Sequence, residues 1–379
     1  MSKMVHFEHP AGDGRKLKVG ACKRDKHDPS HTHYEAKAWK PDELPGFVDL
    51  REHLTPIEDQ GEVGSCTANA LAGALEYLEK RTNGAENRVS RLFIYWNERD
   101  YEGSADKDHG AALCDGIKVL REDGACSEDT WEYSPDLVFE QPADHAYKEA
   151  SERTIDEAHK VQIDLHDMRH CLAEGYPFVF GLQIYDAFQE DGQHGAIRTP
   201  DPAAHEHCGG HAMLCVGYSD EDQVFLVRNS WGEEWGDGGY CYIPYDYMSN
   251  KEWCHDAWTI RRAHNLDFGQ GAGGGELPHG PRTSFFNKDD DSGDSSDTDD
   301  TTGLDDTTDS DDTTNSDDTT DSDDSSDTTD SDDTSDSSDS SAEDVKVPTD
   351  EELENKSVEE LEEEIKRLDE EIKKLDEES

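Results

Sequence analysis

Four short segments hold side chains whose types could do chemistry together: Asp59-Gln60-Gly61-Glu62-Val63-Gly64-Ser65-Cys66, Gly209-Gly210-His211-Ala212, Arg228-Asn229-Ser230-Trp231-Gly232 and Trp235-Gly236-Asp237-Gly238-Gly239-Tyr240. A thiol at its free pKa is mostly protonated at neutral pH, and the thiolate is the effective nucleophile. Cys66 stands where a helix begins, so the positive end of that helix favours the anion, and an imidazolium beside it would favour it more. Taken singly, each residue has a plain alternative. A buried Cys at a helix start is usually inert packing, Asn229 could be a turn residue, and Gln60 could face solvent. Their joint order in the chain is what points to nucleophilic catalysis.

That order resembles the papain family of cysteine peptidases, over roughly residues 46 to 262. His211 lies 145 residues after Cys66 and Asn229 a further 18, in the sequence Gln, Cys, His, Asn. The resemblance implies an acyl-enzyme mechanism without metal or organic cofactor. Cys66 is the nucleophile; His211 is its partner, protonating the leaving amine and later taking a proton from water. Asn229 holds the ring through its other nitrogen, and Trp231 covers that contact. Gln60 donates its side-chain amide to the oxyanion beside the Cys66 backbone N–H. Gly110 and Ala111, in Asp108-His109-Gly110-Ala111-Ala112, are the candidates for binding substrate backbone, with Gly210 and Trp231 also lining the substrate side.

Departures from the family pattern are informative. The cysteine expected two positions before Gly64-Ser65-Cys66 turn is replaced near Val63, so the disulfide beside the active site is absent. Thr67 replaces the aromatic residue that follows the nucleophile. About 45 leading residues are too few for a long helical pro-region. These features look more like the prokaryotic branch. His205, His207, Cys208 and His211 contain metal-ligand types, but in an Ala/Pro-rich loop without paired CxxC spacing, so no metal is expected. Of nine cysteines at irregular spacings most read as reduced, buried small residues, and Cys114, Cys126, Cys171, Cys215, Cys241 and Cys254 as structural.

The elements that must position these groups follow from periodicity. Ala70, Leu71, Ala74, Leu75 and Leu78 recur at three and four, predicting a long helix capped by Ser65 and ending near Thr82-Asn83-Gly84. Shorter helices are expected at 116–121 and 167–173. From Pro177 the pattern changes to the short runs PFVFGLQIY, HAMLCVGY, QVFLVRNSW and GYCYIPY, which read as strands. A helix-rich half followed by a strand-rich half predicts an α+β, papain-like two-lobed fold, with the nucleophile helix in the helical lobe and the His and Asn in the β-rich lobe.

The expected organisation is an N-terminal strap or short pro-segment at 1–45, a peptidase domain at 46–265, a Gly-rich linker at 266–288, a disordered Asp/Ser/Thr-rich spacer at 289–342 and an amphipathic helix at 343–379. In that helix Val358, Leu361, Ile365, Leu368, Ile372 and Leu375 form one stripe suited to a coiled coil. Acidic residues flank it on both sides, which disfavours a parallel homodimer and leaves a partner helix for 358–375 as the expectation. The spacer lacks a Gly-containing EF-hand loop, so specific calcium binding is not expected.

Net charge is −57, of which residues 289–379 carry −34. Such acidity opposes nucleic acid or an anionic membrane surface as partner. Adaptation to high salt and an acidic interaction tail remain as alternative readings. The first residues have no apolar run long enough for a signal core or membrane span, so a cytoplasmic protein is expected. The expected function is hydrolysis of peptide bonds in a peptide or protein substrate. The rival is a non-catalytic or acyl-transferring papain-like module whose tail mediates protein interaction.

Overall fold

The computed structural model describes residues 4–36, 44–264 and 283–286. The acidic spacer and the stripe at 358–375 lie outside the described residues. In chain order, β1 (Val5–Glu8), β2 (Lys16–Val19) and β3 (Cys22–Lys23) come first, and β1 pairs antiparallel with β2. Next are β4 (Phe47–Asp49), α1 (Cys66–Asn83), α2 (Arg91–Tyr101), β5 (Ala111–Ala112), α3 (Leu113–Glu122) and α4 (Asp144–Ala150). The strand-rich half holds β6 (Ile155–Val161), α5 (Leu165–Ala173), β7 (Phe178–Tyr185), α6 (Ala187–Asp191), β8 (His207–Ser219), β9 (Val224–Arg228), β10 (Tyr240–Pro244), α7 (Tyr245–Met248) and β11 (Cys254–Ala263).

A seven-stranded antiparallel sheet organises the second lobe in the order β10-β9-β8-β7-β11-β6, with β4 added to the far end of β8. The expected α+β two-lobed arrangement is present. The 13-residue strand β8 is its spine, because it pairs with β7, β9 and β4. It is buried along almost its whole length, so it reads as a continuous apolar run rather than an alternating one. Gly217 makes the β4 contact feasible, since a Cβ there would lie 2.3 Å from the Val48 carbonyl oxygen.

Helix α1 lies between the lobes and is buried from Cys66 to Glu79. Its small residues Ala68, Ala70, Ala72, Gly73 and Ala74 allow close approach to the sheet; a Cβ on Gly73 would already touch Leu214 at 3.4 Å. Gly84, at φ 72°, ends the helix by donating its N–H to the Lys80 carbonyl.

Two local expectations need correction. Ser65 occupies the N-cap position, but its hydroxyl caps nothing; it meets the Tyr133 hydroxyl at 2.7 Å and accepts from Asn69 Nδ2 at 3.0 Å. Two helices start earlier than their apolar periodicity suggested, α3 at Leu113 and α5 at Leu165, where Asp164 caps the first turn. Within the N-terminal segment β1 and β2 fold into a hairpin before the chain crosses to β3.

Buried charge anchors the sheet to the loop before α1. Arg228 donates to the carbonyls of Thr55 and Pro56, each at 2.6 Å, and its positive charge opposes the burial that pushes the Glu76 carboxyl upward in pKa. Glu76 itself accepts from the Thr55 hydroxyl and the Val89 backbone N–H. Arg228→Ala therefore leaves buried acceptors without donors and should lower stability by about 3 kcal/mol, read as a reduced urea midpoint at unchanged slope.

Candidate active site

The strand β8 and the segment after β9 bring His211 and Asn229 together. His211 Nε2 lies 2.8 Å from Asn229 Oδ1, and the ring stacks on Trp231 at 4.6 Å between centroids and 26° between planes. Asn229 Oδ1 also accepts from the Ser230 backbone N–H at 2.8 Å. An oxygen in contact with Nε2 fixes the imidazole with its proton on that nitrogen. The other nitrogen, Nδ1, is buried without a hydrogen-bond partner. Trp231 is fully buried among Phe7, Phe188 and Trp235 and packs on the His211 ring beside its contact with Asn229.

Gln60 is placed by the same segment. Its backbone N–H donates to the Ser230 carbonyl at 2.8 Å, its side-chain carbonyl accepts from the Ser230 hydroxyl at 2.6 Å, and its side-chain N–H donates to the Val63 carbonyl at 3.0 Å. An amide nitrogen has two N–H groups, so one remains for a ligand. The Tyr133 hydroxyl donates to the Gln60 carbonyl at 2.9 Å. Asn229 is fixed from the other side, its N–H donating to the Gly239 carbonyl. Gly239, at φ 89°, leaves room for Ile57, which a Cβ would strike at 2.6 Å.

Cys66 opens α1 and is fully buried, as is His211. Burial works against an ion pair of these two groups. Burial pushes the Cys66 thiol up to about 12, against the backbone N–H groups of Ala212, Thr67 and Cys66, and an ionised Glu98 would add to the rise. Burial likewise pulls His211 down to about 4, against its hydrogen bond with Asn229. Both groups are therefore neutral. The helix terminus favours a thiolate, but desolvation outweighs it here.

The chain's own N-terminal segment packs against both sides of this region. Strand β3 runs parallel to β5, and the Ala111 N–H donates to the Ala21 carbonyl at 3.1 Å. Gly110, at φ 72°, faces the same carbonyl so closely that a Cβ would lie 1.7 Å from it. On the opposite wall a Cβ on Gly210 would lie 2.3 Å from the Cys22 carbonyl oxygen. Gly110, Ala111 and Gly210, read from the sequence as the substrate side, thus all meet residues 21 and 22. The Cys22 thiol is itself pushed well up by burial.

Charged anchors hold this segment on both lobes. Lys18 pairs with Asp108, whose carboxylate also accepts from the Gly64 N–H and the Tyr95 hydroxyl. Lys23 pairs with Glu102. Asp25 accepts from Trp258 Nε1 at 2.8 Å and the Cys114 N–H at 2.9 Å, and lies 3.2 Å from Lys160 Nζ. The metal-ligand types near His211 are dispersed among other contacts: His207 meets Gln183 at 2.7 Å and His205 accepts from the Asp201 N–H at 3.1 Å.

Residues not singled out by sequence reasoning have clear parts in this geometry. Ser230 orients Gln60, and Arg228 holds the loop leading to it; both lay inside a quoted motif. Asp108 lay in the segment quoted for Gly110 and Ala111, whereas Cys22 and Asp25 carried no local signal, because what defines them is contact with distant chain.

Comparison with known proteins agrees with this geometry. The sequence profile of the papain family cysteine proteases matches residues 44–257. The chain is 37% identical over 238 residues to an uncharacterized peptidase C1-like protein of Acanthamoeba polyphaga mimivirus, covering 59% of this chain and 76% of that one. It is 30% identical over 218 residues to cathepsin J of Mus musculus, covering 55% of this chain and 62% of the mouse protein. Among solved structures it resembles xylellain, a cysteine protease from Xylella fastidiosa, with a TM-score of 0.60 and 38% identity, covering 64% of this chain and 96% of that one.

The neutral, buried His211 has a consequence for pH dependence. Its pKa is lower in the fold than the ordinary 6.5, so its contribution to stability is present above 6.5 and is lost as pH falls toward 4. Across that window the contribution is roughly 3 kcal/mol. Urea midpoints measured from pH 7 to pH 4 should fall in the wild type, and His211→Gln should remove that share of the slope.

Proposed function

Because the chain belongs to the papain family of cysteine proteases and is a cysteine peptidase, we propose that Cys66, His211, Asn229 and Gln60 carry its chemistry on peptide or protein substrates. The observation that supports these roles best is the His211–Asn229 contact, sealed by Trp231, with Nδ1 left unpartnered.

In this reading Nδ1 takes the Cys66 proton as the sulfur attacks the scissile carbonyl. The carbonyl oxygen becomes an oxyanion held by the Cys66 backbone N–H and the remaining side-chain N–H of Gln60. Collapse breaks the C–N bond, and the imidazolium protonates the departing amine. Water then attacks the thioester while His211 takes its proton; the acid product leaves, and the thiol is restored.

The same reading makes residues 17–25 an internal occupant of the substrate track. It is supported by the carbonyls of Ala21 and Cys22 lying against Gly110, Ala111 and Gly210. Displacement would open the track and rehydrate the Cys66–His211 pair, restoring the thiolate that burial suppresses. A cytoplasmic, reducing location fits the buried thiols Cys126, Cys171, Cys215, Cys241 and Cys254.

A peptidyl epoxide probe tests the nucleophile. Labelling and peptide hydrolysis should be present in the wild type and absent in Cys66→Ala; labelling that persists in the variant would reject Cys66. Loosening the strap tests its role. Asp25→Ala deletes three polar contacts, and each 1.4 kcal/mol lost corresponds to about a tenfold larger open population. Labelling at neutral pH should therefore quicken at least about tenfold; an unchanged rate would show that the strap does not limit access.

A further inference from the structure

Within the segment read as linker, Thr283–Phe286 lies against the β-rich lobe. The Ser219 hydroxyl donates to the Thr283 carbonyl at 2.9 Å. Asp222 receives both the Ser284 hydroxyl at 2.6 Å and the Phe285 N–H at 2.7 Å, one on each carboxylate oxygen. The Phe286 N–H donates to Ser284 Oγ at 3.1 Å. The Phe285 ring is 7% exposed and sits between Phe47, at 4.6 Å, and Tyr242, at 5.2 Å, with the Arg51 guanidinium 5.9 Å from its centroid. Phe286 meets the edge of Tyr242 at 4.9 Å.

These contacts read main chain and side chain together. An aspartate that accepts from a hydroxyl and the next backbone N–H selects Ser or Thr followed by any residue with a free amide. The aromatic slot then selects what that residue is. We propose that the turn 219–222 with Phe47, Arg51 and Tyr242 is a docking site for a Ser-Phe-Phe sequence, filled in cis by Ser284–Phe286. It belongs to the surface outside the catalytic machinery.

Its position gives it a use. Ser219 ends β8 eight residues beyond His211, about 26 Å along a strand at 3.3 Å per residue. Docking therefore fixes the departure point of residues 287–379 at the end of β8 remote from the catalytic histidine. The chain after Phe286, with a charge of −33 over residues 287–379, then leaves from this turn and not from Ala263, where β11 ends. Docking also covers the Phe47 and Tyr242 rings, which would otherwise face water.

Hydrogen exchange on the full-length protein tests the site, read on the peptide containing Phe285 in the wild type, Asp222→Ala and Phe285→Ala. The Phe285 amide should be protected at least about tenfold in the wild type. That protection should be lost in Asp222→Ala while β8 and β9 keep theirs, so loss of the latch is separable from loss of the fold. Protection that is absent in the wild type, or unchanged in Asp222→Ala, overturns the proposal. A dilution series decides the occupant. Protection and mass that hold constant from high to low concentration support docking in cis, whereas a dimer whose dissociation removes the protection assigns the site to a second copy and overturns it. A fluorescent peptide spanning residues 281–288 should bind Phe285→Ala, whose own segment no longer fills the slot, more tightly than it binds the wild type. Equal binding to both overturns the proposal.

Discussion

The catalytic-site geometry depends on one seam, in which residues 55–60 are bonded to residues 228–232 across the lobes. Arg228 takes the Thr55 and Pro56 carbonyls, the Gly232 N–H takes the Glu58 carbonyl, and Gln60 and Ser230 join through both main chain and side chains. Most of these contacts are buried, where water could not readily replace a lost partner. Such a seam has little freedom to slide, since a shift would orphan several buried groups at once. Its two ends carry different functions. Gln60 faces the start of α1, and Asn229 faces His211, so one rigid contact sets the acid–base partner and the oxyanion donor in a single frame.

The strap sets the electrostatics of that frame. A thiolate and an imidazolium are each costly to bury, and their mutual attraction must exceed two desolvation penalties. With Ala21 and Cys22 in the cleft, the neutral pair is the cheaper state, as the opposed shifts of Cys66 and His211 indicate. In the proposed reading, occupation of the track and suppression of the nucleophile would be one physical effect, the segment taking the place both of substrate backbone and of the water that would solvate an ion pair.

Legibility followed the range of the contacts. The long helix was visible because α1 shows its apolar residues at three and four, and β7 to β10 because buried antiparallel strands concentrate Val, Phe, Ile and Tyr. Helix α2 was not, since it buries Arg91, Glu98 and Arg99 beside its apolar residues and so blurs the period. The resemblance led to Cys66, His211, Asn229 and Gln60 through motifs at a familiar spacing, and the structure brings His211 to Asn229 and Gln60 to Ser230. It could not foresee that Cys22 would lie over Gly210. Nothing local in Gly20-Ala21-Cys22-Lys23 distinguishes it from any other short run, and its meaning arises only when residues far apart close around it.

Thr67 shows how a departure from a family pattern can be compensated. Where an aromatic side chain would fill space, the Thr67 hydroxyl donates to Glu98 Oε2 at 2.8 Å, and burial holds the Glu98 carboxyl well above the usual carboxylate range. Its other oxygen has no hydrogen-bond partner, and Gly116 leaves room for it, since a Cβ there would come within 2.4 Å. An ionised carboxylate so placed would cost several kcal/mol and would oppose a thiolate at the adjacent residue. Neutral, it is an ordinary polar plug under the start of α1. Burial thus favours the protonated form of the acid beneath the start of α1, the form that does not oppose a thiolate at Cys66.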